Sequence, residues 1–334
     1  MLSARLHDRK VILKVKNLRK ARISSIGTYV PDTIMTNADF EAILETSDEW
    51  ITSRTGIKKR HIVSKDAPVP ASHLGKFAGQ KALKRADCAP KQVDAIICAT
   101  FTPDSFFPST ACRMQELLGC TNAFAFDISA ACTGFVYGIT LANTLVATGQ
   151  CEKVLVVGAE VISRTLDWTD RSTCILFGDG AGAVLVEVSD SEVRGIGNSC
   201  LKSDGSLGDI LTLPCYGESC TMKMKGNEVF KHAVRMMSEV SHEALEASGV
   251  LVSDIDFFIP HQANIRIINS VAKQLAIPQE KVVINVAEYG NTSSASIPLA
   301  LDGIWTEGKV GNGTKVLFSA LGGGVTAGSV YVQF

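Results

Sequence analysis

An internal repeat constrains this chain more than any other feature. The stretch "ALKRADCAPKQVDAIICAT" (residues 82–100) answers "ALEASGVLVSDIDFFIPHQ" (244–262), with Ala82 on Ala244 and Asp94 on Asp256, an offset of 162 residues. "KVLVVGAE" from Lys153 answers "KVLFSALG" from Lys315 at the same offset, and "GAVLV" from Gly182 answers "GSVYV" from Gly328. "FDISAACTGFVYGITLANTLVATG" (126–149) matches "NVAEYGNTSSASIPLALDGIWTEG" (285–308) at an offset of 159. Four matches in one order describe a duplicated unit of helix, strand, central helix, strand, glycine-rich turn and strand.

The strands are nearly continuous apolar runs, as expected when helices cover both faces of a sheet. Their alternation with helices predicts two pseudo-symmetric α/β halves with mixed sheets sandwiching central helices. The most buried helices are expected from Cys132 and Asn291 onward, because "CTGFVYGITLANTLVA" is apolar or small around its whole circumference. The sequence divides into a basic N-terminal extension (1–20), a first half (21–190) carrying this cysteine, and a second half (191–334). The extension holds seven Lys/Arg against one Asp; it is short and Ser-poor for a transit peptide and reads as catalytically unimportant.

At 334 residues and 46% hydrophobic, the chain has material for a large core. Its 33 basic and 34 acidic residues leave no nucleic-acid footprint. No apolar run approaches the roughly 18 residues of a membrane span. Ten cysteines without CxxC pairs suit a reducing cytosol, so a cytoplasmic location is expected.

The opening of the central helix is where chemistry is expected. In "DISAACTGF" an apolar strand runs into small residues that leave space around Cys132. Counting back seventeen residues from Gly149 gives Cys132, and seventeen back from Gly308 gives Asn291, so thiol and amide are expected at equivalent positions. A helix N-terminus offers unpaired N–H groups and partial positive charge, which favours a thiolate. A buried structural cysteine is the ordinary alternative; the elbow and the pairing with Asn291 favour a nucleophile. Among six histidines, His261 alone ends an apolar strand, "DFFIP", and opens a helix-like stretch, a place where α/β sheets gather ligands. The runs "FGDGAGAVLVEV" and "LGGGVTAGSVYVQF" lead into strands, so neither has the context of a phosphate loop. The second could bring a backbone N–H beside the thiol as half of an oxyanion hole.

From Arg22 to Phe334 the sequence resembles the β-ketoacyl-acyl carrier protein synthases III of the thiolase superfamily. The resemblance is carried by "TSDEWITSRTGIKKRHI", "AACTGF", "TDRSTCILFGDGAGA", "SDGSLGDILTLP", "MKGNEVFKHAV", "PHQANIRII", "EYGNTSSASIP" and "LGGGVTAGS". It implies a thiolase-like fold and a catalytic triad of Cys132, His261 and Asn291. It also implies an oxyanion hole from the N–H groups of Cys132 and Gly324, and decarboxylative condensation of a short acyl-CoA with malonyl-acyl carrier protein. The CoA thioester is substrate, and no metal, flavin or nicotinamide cofactor is required. Trp50 and Arg171 match a pair that sandwiches the CoA adenine, Arg54 lies beside the nucleotide end, and Asn264 and Gly226 match contacts to the pantetheine arm. Phe230, Lys231 and Arg266 fall in motifs that line the mouth, the two cations suiting an acidic carrier protein. Phe107 matches a residue that closes the acyl pocket of the partner in a homodimer.

Ala327, Leu321 and Val325 replace aromatics expected in the last motif, which touches substrate size and not reaction type. A degradative thiolase would use a second cysteine, hydroxymethylglutaryl-CoA synthase a glutamate near the nucleophile, and a cysteine hydrolase water. A non-catalytic scaffold would have lost one of the three residues. Asn291 after Gly290 favours the decarboxylating type.

Overall fold

The structure, a computed structural model, describes residues 18–215 and 220–334. The basic extension therefore lies outside the described residues up to residue 17. Arg19 is already seated on the first central helix, its Nε donating to Val146 O at 3.1 Å and its Nη2 to Cys151 O at 2.9 Å.

The apolar runs form two mixed sheets. In the first, the strand order is Ala21–Tyr29, Gly180–Val188, Lys153–Glu160, Ala95–Ala99, Phe124–Ile128, with the last three parallel to one another. In the second it is Gly195–Ser203, Thr326–Gln333, Lys315–Gly322, Phe257–Pro260, with only the last pair parallel. A lone parallel bridge from Phe258 to Val282 stands where the first sheet has its fifth strand. The repeat accounts for shared details. Asp94 N–H donates to Lys153 O at 2.9 Å and Asp256 N–H to Lys315 O at 2.8 Å, so each aspartate ties the start of its strand to the neighbouring one. The side chain of each then accepts from the backbone N–H of the same lysine.

Side chains from both sheets meet the helices Gly134–Ala147 and Ser296–Thr306 in one core that includes Ile97, Val156, Phe135, Ile139, Ile297, Leu301, Phe318 and Val330. Outer helices cover the far faces: Ala71–Arg85 and Thr110–Leu118 on the first sheet, Gly226–Ser248 and Ile265–Gln274 on the second. The expected sandwich around a central helix pair is what the chain forms. The second central helix is buried along most of its length, while the first exposes Leu141 by 40%.

The expected register between the central helices does not hold. Ala131 and Ser293 both have left-handed φ (45° and 51°), each opens a 3₁₀ turn (Ala131–Thr133, Ser293–Ala295), and the helices start at Gly134 and Ser296. All these pairs are 162 residues apart, as are the flanking strands. The counterpart of Cys132 is therefore Ser294, not Asn291. The second helix has 11 residues against 14, so counting back from the glycines at the C-terminal ends slips by three positions.

Each turn packs onto the middle of the opposite half through backbone. A Cβ on Gly158 would stand 2.4 Å from Ser294 O, and one on Gly322 would stand 2.8 Å from Cys132 N. Gly158→Ala should thus destabilise the protein by about 1–3 kcal/mol, the ordinary cost of overpacking. Gly303→Ala, in open space on the second central helix, should stabilise by about 0.5–1 kcal/mol. Urea unfolding of the two variants checks the contrast; equal effects would mean the turn has room to move.

Candidate active site

Cys132 reaches its position because the left-handed Ala131 turns the chain sharply between the strand Phe124–Ile128 and the helix Gly134–Ala147. Such a backbone is sparsely populated for a non-glycine residue and persists where surroundings fix it, commonly at functional sites. Here Thr133 Oγ1 donates to Thr326 O at 3.0 Å, and Thr326 Oγ1 donates to Ala130 O at 3.2 Å, which ties the elbow to the second half.

His261 follows the strand Phe257–Pro260 directly and is held by its N–H to Ser319 O at 2.8 Å. Its Nδ1 lies 2.7 Å from Ser296 Oγ. Asn291 is pinned at both backbone ends, its N–H donating to Leu176 O and its carbonyl accepting from Gly178 N–H. Gly290, at φ 63°, permits the approach, since a Cβ there would meet Leu176 O at 2.8 Å. The side-chain oxygen of Asn291 accepts from Ser293 N–H at 2.8 Å, which leaves the amide NH₂ as its free end.

These three side chains line one cavity of about 330 Å³ together with Trp50, Arg54, Arg171, Gly226, Phe230, Asn264 and Arg266. Arg171 stacks over the Trp50 ring at 4.6 Å and also donates to Glu45 O; Arg54 lies over the same ring at 5.8 Å. Arg266 lies over Phe230 at 5.7 Å. Asn264 has local duties as well: its oxygen caps the helix Ile265–Gln274 on Arg266 N–H, and its Nδ2 donates to Arg54 O. Lys231 is exposed and outside the lining. Phe107 is 86% exposed and lines neither this cavity nor the next. Cys132 also opens onto a second cavity of about 330 Å³, walled by Phe101, Ser129, Phe177, Leu211, Leu213, Met222, Gly323 and Gly324. Of the three residues that depart from the expected aromatics, Leu321 lines the first cavity, while Val325 and Ala327 pack in the core beside it.

The electrostatics correct one expectation. Burial pushes the Cys132 thiol up to about 12, with nearby Glu160 adding to the rise. The Ser293 hydroxyl opposes it, although it lacks the geometry of a full hydrogen bond and is otherwise unpartnered. Burial also drives His261 down to about 3. Burial thus favours the neutral thiol and the neutral imidazole over their charged forms.

Three residues of the site carry no mark in the sequence motifs. Ser293 and Ser296 look like ordinary first-turn serines. Glu160 is the single charge closing the buried strand Lys153–Glu160, a signal that was available. It accepts from Thr100 Oγ1, Phe101 N–H, Thr102 N–H and Oγ1, and Ser294 Oγ, between 2.7 and 3.2 Å. It therefore binds the turn after Asn291 to the wall of the second cavity.

Fold and site together define a thiolase-fold condensing enzyme. Family models described as 3-oxoacyl-[acyl-carrier-protein (ACP)] synthase III and its C-terminal part match residues 126–205 and 245–334. The β-ketoacyl-[acyl-carrier-protein] synthase III of Aquifex aeolicus is 46% identical over 94% of this chain and 99% of its own length. A crystal structure of 3-oxoacyl-[acyl-carrier-protein] synthase III from Aquifex aeolicus superposes with a TM-score of 0.90, covering 94% of this chain and 100% of that one. The priming β-ketosynthase of the R1128 polyketide pathway, 33% identical, also reaches 0.90 over 96% of this chain and 98% of its own. The chain belongs to the β-ketoacyl-[acyl-carrier-protein] synthase III family. It is an acyltransferase, a condensing enzyme of the thiolase superfamily.

Glu160 yields a pH prediction. Burial raises its carboxyl from the ordinary 4.5 to about 7, against the pull of its hydrogen bonds. A raised folded pKa means stability that is full below about 4.5 and lost as the pH rises to about 7. The shift corresponds to about 3 kcal/mol. Urea unfolding from pH 4.5 to 8 should show wild type losing roughly this amount relative to Glu160→Gln. Parallel pH profiles would mean that Glu160 is ionised throughout.

Proposed function

We propose that this enzyme initiates fatty acids by condensing acetyl-CoA, or another short acyl-CoA, with malonyl-acyl carrier protein, with Cys132, His261 and Asn291 as catalytic residues. The observation that carries the assignment is the single cavity shared by these three side chains and the Trp50–Arg171 stack. The stack suits the adenine of CoA, for a planar guanidinium and an indole offer two faces to a base. Arg54 lies at the nucleotide end, and Gly226 and Asn264 flank the pantetheine arm.

In the first half-reaction the Cys132 sulfur bonds to the acyl carbon, the carbon–sulfur bond to CoA breaks, and the thiol proton leaves on the CoA sulfur. In the second, the malonyl carboxylate leaves as CO₂ and its bonding electrons form an enolate. Asn291 Nδ2–H and the His261 ring N–H donate to the enolate oxygen, which both neutral groups can do. The enolate carbon attacks the acyl-Cys132 carbonyl, and the N–H groups of Cys132 and Gly324 stabilise the resulting oxyanion, each such donor typically worth about 10²–10³ in rate. The adduct collapses to 3-oxoacyl-acyl carrier protein, and the released sulfur takes a proton from solvent. Phe230, Lys231 and Arg266 receive the acidic carrier protein at the mouth.

The same reading includes a cytoplasmic homodimer. Its support is the open sheet edge Phe124–Ile128, where Phe124 is half exposed and stacked on Phe126, while Phe106 lines a surface cavity with Asp127 of that strand and its neighbour Phe107 is equally exposed. Apolar rings clustered at a bare strand edge point to a covering partner. Phe107 then caps the partner's acyl pocket. No helix among the described residues is long and apolar enough to cross a membrane.

Incubation with acetyl-CoA should add one acetyl group at Cys132 by mass spectrometry, and Cys132→Ser should abolish transfer; acetylation elsewhere would sink the assignment. His261→Ala and Asn291→Ala should lower malonyl decarboxylation by about 10²-fold or more, with much smaller losses in acyl transfer. Equal losses in separate assays of the two steps would indicate a thiol–imidazole ion pair instead. Sedimentation should give twice the 35.7 kDa chain mass, and Phe107→Thr should broaden primer use towards longer chains. A fully active monomer contradicts the dimer reading.

A further inference from the structure

The contact of His261 with Ser296 has a counterpart in the other half. Position 261 corresponds to Ala99 and position 296 to Gly134 by the common offset of 162. Those two residues also touch, since a Cβ on Gly134 would meet Ala99 Cβ at 2.9 Å. The duplicated fold thus builds one close contact twice, at the end of a strand and the start of a central helix. In the first half neither partner has a polar side chain; in the second the pair carries an imidazole and a hydroxyl. Both are buried, 4% and 1% exposed.

The hydroxyl has one proton and its surroundings decide where it points. Gln262 N–H donates into Ser296 Oγ at 3.3 Å. Gln262 is itself fixed, its Nε2 donating to Pro260 O and Val283 O and its Oε1 accepting from Asn285 N–H. Among the described residues, the acceptor placed for the Ser296 proton is His261 Nδ1, at 2.7 Å. A proton on Nδ1 would instead give Ser296 Oγ two donors and leave its own proton without a partner, which costs free energy in a buried site.

We infer that Ser296 is a positioning residue that donates to His261 Nδ1 and so fixes the ring proton on Nε2, the nitrogen left to face the reacting groups. This rests on the reading of His261 as a donor to the enolate. A neutral imidazole can hold its proton on either nitrogen, and only the Nε2–H form donates from that nitrogen. With Nε2 occupied, His261 does not serve as the base for the Cys132 thiol, in keeping with the proton leaving on CoA.

The test is solid-state NMR of the full-length enzyme labelled with ¹⁵N-histidine, the His261 signals being those missing in His261→Ala. Wild type should show a protonated Nε2 and an unprotonated, hydrogen-bonded Nδ1. Ser296→Ala should move the Nδ1 signal to that of a nitrogen without a donor. It should also lower malonyl-acyl carrier protein decarboxylation roughly 10–100-fold, the range for removing an outer partner that orients a metal-bound imidazole, with a much smaller loss in acyl transfer. Ser296→Thr, which keeps the hydroxyl, should restore both signal and rate. A wild-type enzyme protonated at Nδ1 overturns the inference even if Ser296→Ala does not fold, as does an unchanged Nδ1 signal in a folded Ser296→Ala. If His261→Ala still decarboxylates at the wild-type rate, the reading of His261 fails instead, whatever the tautomer.

Discussion

Backbone against backbone is the contact on which this molecule depends. Gly158 and Gly322 lie on the central strands of opposite sheets, and each receives the turn that opens the other half's central helix. No side chain could stand between them. Because the contact is made by main chain, it leaves little freedom in the relative placement of the two halves. That placement brings a cysteine from one half beside a histidine and an asparagine from the other. Glu160 and Ser294 reinforce the same seam from behind, joining the turn after Asn291 to the Thr100–Thr102 segment.

Burial, more than any nearby charge, sets the chemistry of the site. Burial favours the neutral form of both titratable groups at the centre. A neutral pair cannot offer a ready thiolate, but it can offer directed donors. Asn291 is oriented by Ser293 N–H, and the proposed role of Ser296 does the same for His261. Both orienting groups belong to one short stretch at the head of the second central helix. The site therefore suits a reaction whose difficult moment is the appearance of negative charge on an oxygen.

The architecture was legible in the sequence because apolar strands and the two aspartates at their starts survive in both copies. The elbow before Cys132 and the strand end at His261 marked two of the central residues, the family motifs carry all three, and the structure gathers them into one cavity. The register between the halves is hidden by the unequal central helices. Gly149 and Gly308 end helices of different length, so Asn291 was aligned where Ser294 belongs. The expected thiolate meets a second obstacle: a helix end is visible locally, whereas the burial that opposes ionisation of Cys132 comes from residues distant in the chain. Ser296 was missed because a serine at a helix start has a sufficient local explanation. Only the packing of the second sheet against that helix gives its hydroxyl a histidine to face.

The position of Cys132 between two cavities has a kinetic consequence. On the proposed reading, the acyl group rests in the space walled by Phe101 and Leu213, while CoA and the carrier's arm occupy the space beneath Trp50 and Arg171. The departing thiol and the arriving arm then claim the same volume, so they take turns. Steady-state rates would then follow a ping-pong pattern, with free CoA competing against the loaded carrier protein. The ratio of free CoA to malonyl-loaded carrier would then by itself slow or speed chain initiation.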